Sequence, residues 1–141
     1  MSTLKVDTIQ TTGGVSEIAI DKLKGVSSAN SISIVGEGGT NTTNLQQGLN
    51  KAWTTTSVDG TSILDSFNIS SLGDTSTGRQ AHNVTTNFGN TNYVPVVSLE
   101  TNNYDQQWVE SELTSSWTTY NYDGSAYQDA KFCSTTNGDL A

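Results

Sequence analysis

The chain has 141 residues, with 6 Lys and Arg against 14 Asp and Glu, giving a net charge of −8 and a pI near 4.2. Only 33% of it is hydrophobic and 14% charged; Thr, Ser, Asn, Gly and Gln make up about half. So acidic a chain cannot grip a nucleic-acid backbone by counterion release and is repelled by anionic membrane surfaces. Leu, Ile, Val and Phe are too few for a large private core. That shortage points to burial completed by further copies of the chain.

A single proline, sparse charge and regularly spaced aromatics argue against disorder. The excess of Thr, Ser and Asn with short apolar alternations reads as mainly β. The expected architecture is an extended N-terminal arm, one short helix and a small antiparallel β-sandwich or barrel.

Residues 1–41 read as the arm. Leu4, Val6 and Ile9 form one short apolar run, Val15 to Leu23 a second, and Ile32, Ile34 and Val35 a third. Each is bounded by glycine and too short to close a core alone. The start of the chain lacks the basic and apolar regions of a signal peptide, so synthesis and assembly in a cytoplasm are expected. Gly36-Glu37-Gly38-Gly39 has no following Lys-Ser/Thr and reads as a linker, not a phosphate loop.

Residues 42–53 predict the helix. Leu45, Leu49, Ala52 and Trp53 recur as a one-sided stripe. Thr43 with Gln46 matches a capping box. Two readings fit: three such helices meeting on a symmetry axis with Leu45, Leu49 and Trp53 inward, or a helix plugging the end of a β domain.

Residues 54–141 predict the β domain. Ile63, Asp65, Phe67 and Ile69 alternate onto one strand face. Arg79 to Phe88 alternates about His82 and Val84. Tyr93 to Leu99 is the most apolar strand, and Pro95 places it at an edge or bulge. Trp108 to Leu113, Trp117 to Tyr120 and Ala130 to Thr135 follow, with Asp123-Gly124 as a hairpin turn. Strand spacing of this kind suits a sandwich or barrel.

Catalytic chemistry finds little support in these residues. His82 is the only histidine and lacks a neighbouring nucleophile signature, and Cys133 reads as a small buried hydrophobe. One His and one Cys make no zinc site, and no calcium loop is present. The carboxylates mostly lie in turns, where Asp caps the backbone, although a glycosidase-type pair is not excluded by sequence. The reading is therefore of a non-enzyme without cofactor or metal. Trp108, Trp117, Tyr104, Tyr120, Tyr122 and Tyr127 crowd the last third. They are either the core of the β domain or a sugar-binding platform; the platform reading takes Tyr104, Trp108, Trp117, Tyr120 and Tyr122 as glycan contacts.

Two stretches carry a resemblance. Met1-Ser2-Thr3-Leu4-Lys5-Val6-Asp7-Thr8-Ile9-Gln10 resembles the start of many short structural proteins of tailed bacteriophages, particularly marine cyanophages. Gly48-Leu49-Asn50-Lys51-Ala52-Trp53, then Gly60-Thr61, Asp65-Ser66-Phe67-Asn68-Ile69-Ser70-Ser71-Leu72-Gly73-Asp74 and Thr77-Gly78, are similar to a module of phage tail-fibre-like proteins. The resemblance implies a virion structural protein of the fibre or spike type, usually a homotrimer. Its arm would dock other virion proteins through Leu4, Val6 and Ile9 by strand addition, with the helix setting the trimer axis. The distal β domain would touch host surface polysaccharide, with no nucleic acid bound and no membrane insertion. A capsid-decorating protein without a receptor role is the neighbouring alternative, and a carbohydrate-active enzyme or a free-standing lectin-like module are the more distant ones.

Overall fold

A computed structural model describes residues 21–24, 32–36, 38–100 and 106–140 of the chain. The docking run Leu4, Val6 and Ile9, and Tyr104, lie outside the described residues. Ten strands and one short helix form in the order β1 (Ser33–Val35), β2 (Thr42–Asn44), α1 (Leu45–Gly48), β3 (Asn50–Thr56), β4 (Ile63–Phe67), β5 (Ile69–Ser76), β6 (Arg79–Val84), β7 (Val94–Glu100), β8 (Gln106–Leu113), β9 (Ser116–Tyr122) and β10 (Lys131–Asn137). β1 and β2 make a small antiparallel hairpin. The other strands form two four-stranded antiparallel sheets, ordered β4-β3-β10-β7 and β5-β6-β9-β8. The fold is mainly β, as the composition predicts.

The two sheets face each other across alternating residues. Ala52, Thr54 and Thr56 of β3 and Phe132, Ser134 and Thr136 of β10 are buried from one side. Gln80, His82 and Val84 of β6 and Trp117, Thr119 and Asn121 of β9 are buried from the other. One end of this interior is apolar: Ala52, Val84, Phe88, Tyr93 and Trp117, with Ile69, Val109 and Leu140 against them. The opposite end is polar and hydrogen-bonded. Thr56 Oγ1 accepts from Phe132 N at 3.0 Å, Asn121 Nδ2 donates to Gln128 O at 3.0 Å, and Gln80 Nε2 donates to Gly60 O. Threonine, β-branched yet able to bond through its hydroxyl, fills space that Val or Ile would fill elsewhere. Threonine thus takes up part of the aliphatic shortage within the sandwich, although Thr54 Oγ1 and Ser134 Oγ are buried without a hydrogen-bond partner.

The helix is much shorter than the sequence pattern suggests. α1 spans only Leu45–Gly48, with Asn44 rather than Thr43 at its N-cap, accepting from Gln47 N at 2.9 Å. Asn50–Thr56 is a strand in mid-sheet, paired with β4 and β10. The run Thr54-Thr55-Thr56 favours a pleated backbone, and two hydrogen-bonded neighbours outweigh a weak helical stripe interrupted by Gly48. Leu45 is half-buried, Leu49 is exposed, and Trp53 points outward from β3. No common helical face unites the three. The boundary at residue 41 also falls inside a hairpin, since Val35 pairs with Thr42.

The strand expected to run unbroken from Ile63 to Ser70 instead changes sheet. Asn68 adopts φ 58° between β4 and β5, a left-handed conformation that Asn tolerates better than most residues. Its side chain staples the corner: Nδ2 donates to Lys51 O (3.0 Å) and Thr86 O (3.1 Å), while Oδ1 accepts from Thr86 N (2.7 Å). Phe67 is consequently left exposed and Ile69 packs on the core, so the two do not share a face. β7, carrying Pro95, is an edge strand as expected.

α1 meets the sandwich at its apolar end. Gln47 Nε2 donates to Asp139 Oδ1 at 2.6 Å, and the buried Lys51 Nζ donates to Gln46 O. Burial lowers the Lys51 pKa, partly offset by the Asp139 carboxylate. β3 then carries the chain from Asn50 toward the polar end.

Candidate functional site

The outward face of β6, β9 and β8 carries an organised group of aromatic side chains, in which Tyr120 is buried (7% exposed) beneath its neighbours while Trp108, Tyr122 and Tyr127 keep exposed surface. Register places Arg79 opposite Tyr120 and Tyr120 opposite Trp108, three residues abreast on one face. Trp108 and Tyr120 stack at 5.2 Å between centroids and 9° between planes. Tyr127 arrives from the segment between β9 and β10, held by an isolated bridge to Tyr122, and sits 5.5 Å from the Tyr122 ring. The Arg79 guanidinium lies 4.8 Å from the Tyr120 centroid and 4.7 Å from that of Tyr127, within range for attraction to both ring faces. Its Nη2 also donates to Tyr127 Oη at 3.3 Å.

The segment presenting Tyr127 is pinned on both sides. Asp123 Oδ1 accepts from Ser125 N (2.8 Å), Ser125 Oγ (2.7 Å) and Ala126 N (2.8 Å), a capped turn of the kind Asp makes. The backbone bond from Ala126, then those from Ser125, hold the Asp123 carboxyl below its usual range. On the far side, Gly78 N donates to Asp129 Oδ1 at 2.7 Å. Gly78 has φ 69°, and a Cβ there would stand 2.7 Å from both Asn121 O and Gln128 N, so only glycine fits.

Electrostatics knit the same face. The hydrogen bond to the Glu110 carboxylate, with burial, raises the Tyr120 pKa. The hydrogen bond to Tyr127 raises that of Arg79. β8 bulges just beyond Glu110, where its register with β9 shifts and Ser111 takes φ 58°, the local re-aiming typical of bulges.

Trp108, Tyr120 and Tyr122 are therefore brought together, and Trp117 is not. Trp117 is fully buried, stacked on His82 at 5.2 Å and edge-on to Phe88 and Tyr93. The aromatics divide between the two faces of the sheet, Trp117 inward and Trp108, Tyr120 and Tyr122 outward. Strand parity separates them, because Trp117 and Tyr120 differ by an odd number of positions on β9. Arg79, the only arginine in the chain, is absent from the expected contacts. Its rarity was a usable signal, but its neighbours depend on strand register.

His82 is a core residue. Thr119 Oγ1 donates to Gln80 O at 3.3 Å and so accepts from His82 Nε2 at 3.0 Å, which fixes the ring's proton on Nε2. Burial pushes its pKa down to about 3. Cys133 is half-buried on the outward face of β10, correcting the expectation of a buried thiol. It lines an open depression of about 220 Å³ with Trp53, Thr55, Val96 and Thr135 among others. Among the described residues no group of three or more His, Cys, Asp or Glu could hold a metal, and no helix is long and apolar enough to cross a membrane.

No protein-family model, curated protein or solved structure matches this chain.

Proposed function

We propose that the chain is a virion structural protein of tailed bacteriophages, of the fibre or spike type. In this reading the N-terminal arm attaches it to other virion proteins and the sandwich projects, touching host surface polysaccharide. The observation that carries the reading is the outward aromatic face of Trp108, Tyr120, Tyr122 and Tyr127 around Arg79. The weakly positive C–H edges of a sugar ring suit the negative faces of such side chains. The face lies toward the polar end of the sandwich: Gln80, next to Arg79, bonds Gly60 in the turn that follows β3. The chain enters the sandwich at the opposite end, where Gln47 of α1 bonds Asp139, and in this reading the attachment arm would lead in from there. A capsid-decorating protein would share the arm and sandwich but would have no use for this face.

Homotrimer formation belongs to the same proposal. The other sheet presents a cross-strand row of Phe67, Trp53, Thr135 and Val96 on its outward side. Phe67 is 52% exposed and Val96 56%. The row is uncharged in a chain of charge −8, and like-charged copies meet at least cost over neutral surface.

The test combines a labelled virion with a binding measurement. Gold-labelled antibody against the chain should decorate the tail. Immobilised cyanobacterial surface polysaccharide should retain the full chain, with Trp108→Ala lowering affinity at least tenfold while the far-UV spectrum is unchanged. Decoration of the head alone, or no retention by any surface polysaccharide, would refute the fibre reading.

A further inference from the structure

We infer that the aromatic face is a site for a carboxylated sugar, a uronic-acid type of residue, with Arg79 as the group that receives the carboxylate. This rests on the polysaccharide reading above and narrows it to one class of saccharide.

An available cation is unusual in the sandwich. After Lys51 the sequence holds only two cations, Arg79 and Lys131. Lys131 is taken by Glu100 at 2.5 Å, the only ion pair among the described residues. Lys51 is buried against Gln46 O. Arg79 has no carboxylate within ion-pair distance among those residues, although 14 acidic residues are present in the chain.

The guanidinium is also held in place. Two tyrosine rings flank it, Nε is buried without a partner, and Nη2 donates to Tyr127 Oη, which leaves the Nη1–Nη2 end of the fork with donors to spare. Guanidinium offers five donors in a planar fork that matches a carboxylate in two parallel bonds. Because the rings already fix the fork, little side-chain freedom remains to be lost on binding. Glu110 acts on the guanidinium through space without closing an ion pair, so the remaining donors are left for a ligand.

The surroundings select the rest of the ligand. Trp108 and Tyr127 are half-buried and exposed, respectively, beside the guanidinium, and supply flat apolar surface for a sugar ring. Glu110, adjoining Tyr120, is an acceptor suited to a sugar hydroxyl. Its negative charge disfavours a dianion such as a phosphate monoester more than a singly charged carboxylate. The combination is therefore a planar monoanion joined to a hydroxylated, partly apolar ring.

Calorimetric titration of the full chain with trigalacturonic acid and with its methyl ester tests this. The acid should bind at least tenfold more tightly than the ester, and the gap should narrow as salt rises from about 50 to 300 mM. Arg79→Gln should bind acid and ester equally, and Arg79→Lys should fail to restore the gap, because an ammonium lacks the fork. Glu110→Gln should move the other way, tightening acid binding several-fold, which guards against a misfolded Arg79 variant. Equal binding of acid and ester by the native chain would overturn the inference while leaving the polysaccharide reading intact. A preference for a sulfated trisaccharide over the acid would do the same. Binding of none of these probes or of any surface polysaccharide would remove both.

Discussion

The two outward faces of the sandwich have the same strand geometry and differ in what restrains their side chains. On β6-β9-β8, Arg79 and Tyr120 lie under Tyr127, and Asp123, Asp129 and Gly78 hold the covering segment in place. On β4-β3-β10, Phe67 and the half-buried Trp53 stand in a row flanked by threonines, with no described segment folded across them. The first face is ordered before anything binds, which suits selective recognition of a small polar ligand. The second offers area without directional groups, which suits packing against another protein surface. A shared interior joins the two, so substitutions can act on one face or on both.

The most severe way to break this contrast is through that interior. Trp117→Ala should cost about 3–5 kcal/mol, because the ring is fully buried and contacts His82, Phe88 and Tyr93. Urea titration should show it, with glycan binding and self-association lost together; loss of one alone would mean that the faces do not share a core.

Acid is the next largest perturbation. His82 is neutral when folded, with a pKa of about 3, against roughly 6.5 unfolded. The unfolded chain therefore takes up the proton first as pH falls. Stability is whole above about pH 6.5 and declines toward about pH 3, with a contribution of roughly 3 kcal/mol lost by pH 4. His82→Gln should flatten that part of the stability–pH curve, read as melting temperature. An unchanged slope would show that carboxylates such as Asp59 and Asp123, whose pKa values are lowered by hydrogen bonds, carry the acid sensitivity instead.

The smallest change in stability should come from the bare face. Trp53→Ser with Phe67→Ser should shift monomer stability by about 1 kcal/mol or less per site, as expected of partly exposed positions. Light scattering should show the proposed trimer falling to monomer while the proposed glycan affinity stays put. A trimer that survives both substitutions would place the self-contact elsewhere.

The strands were largely legible because alternation of burial is written directly into residues such as Arg79–Val84 and Lys131–Asn137. The helix was not, since Leu45, Leu49 and Trp53 satisfy a helical stripe while Trp53 and Thr55 equally satisfy a strand; pairing to β4 and β10 decides between them. The corner at Asn68 was hidden because nothing local distinguishes it from a residue continuing the alternation of Ile63 to Phe67. For the site, the aromatics were visible as a crowd, but their division between the faces and the arrival of Arg79 depend on register between strands distant in sequence.

The place of β3 has a mechanical consequence. It receives the chain from the arm and is flanked on both sides, by β4 and β10. In the proposed attachment, tension between the chain entering at Asn50 and the end that carries Arg79 would run nearly parallel to this strand. Antiparallel ladder bonds lie perpendicular to the strands, so such a pull loads both ladders in shear, many bonds at once. A tether attached to an edge strand from the side would instead peel its bonds open one at a time. The central position of β3 suits the sandwich to bear load along its length while its far end stays bound.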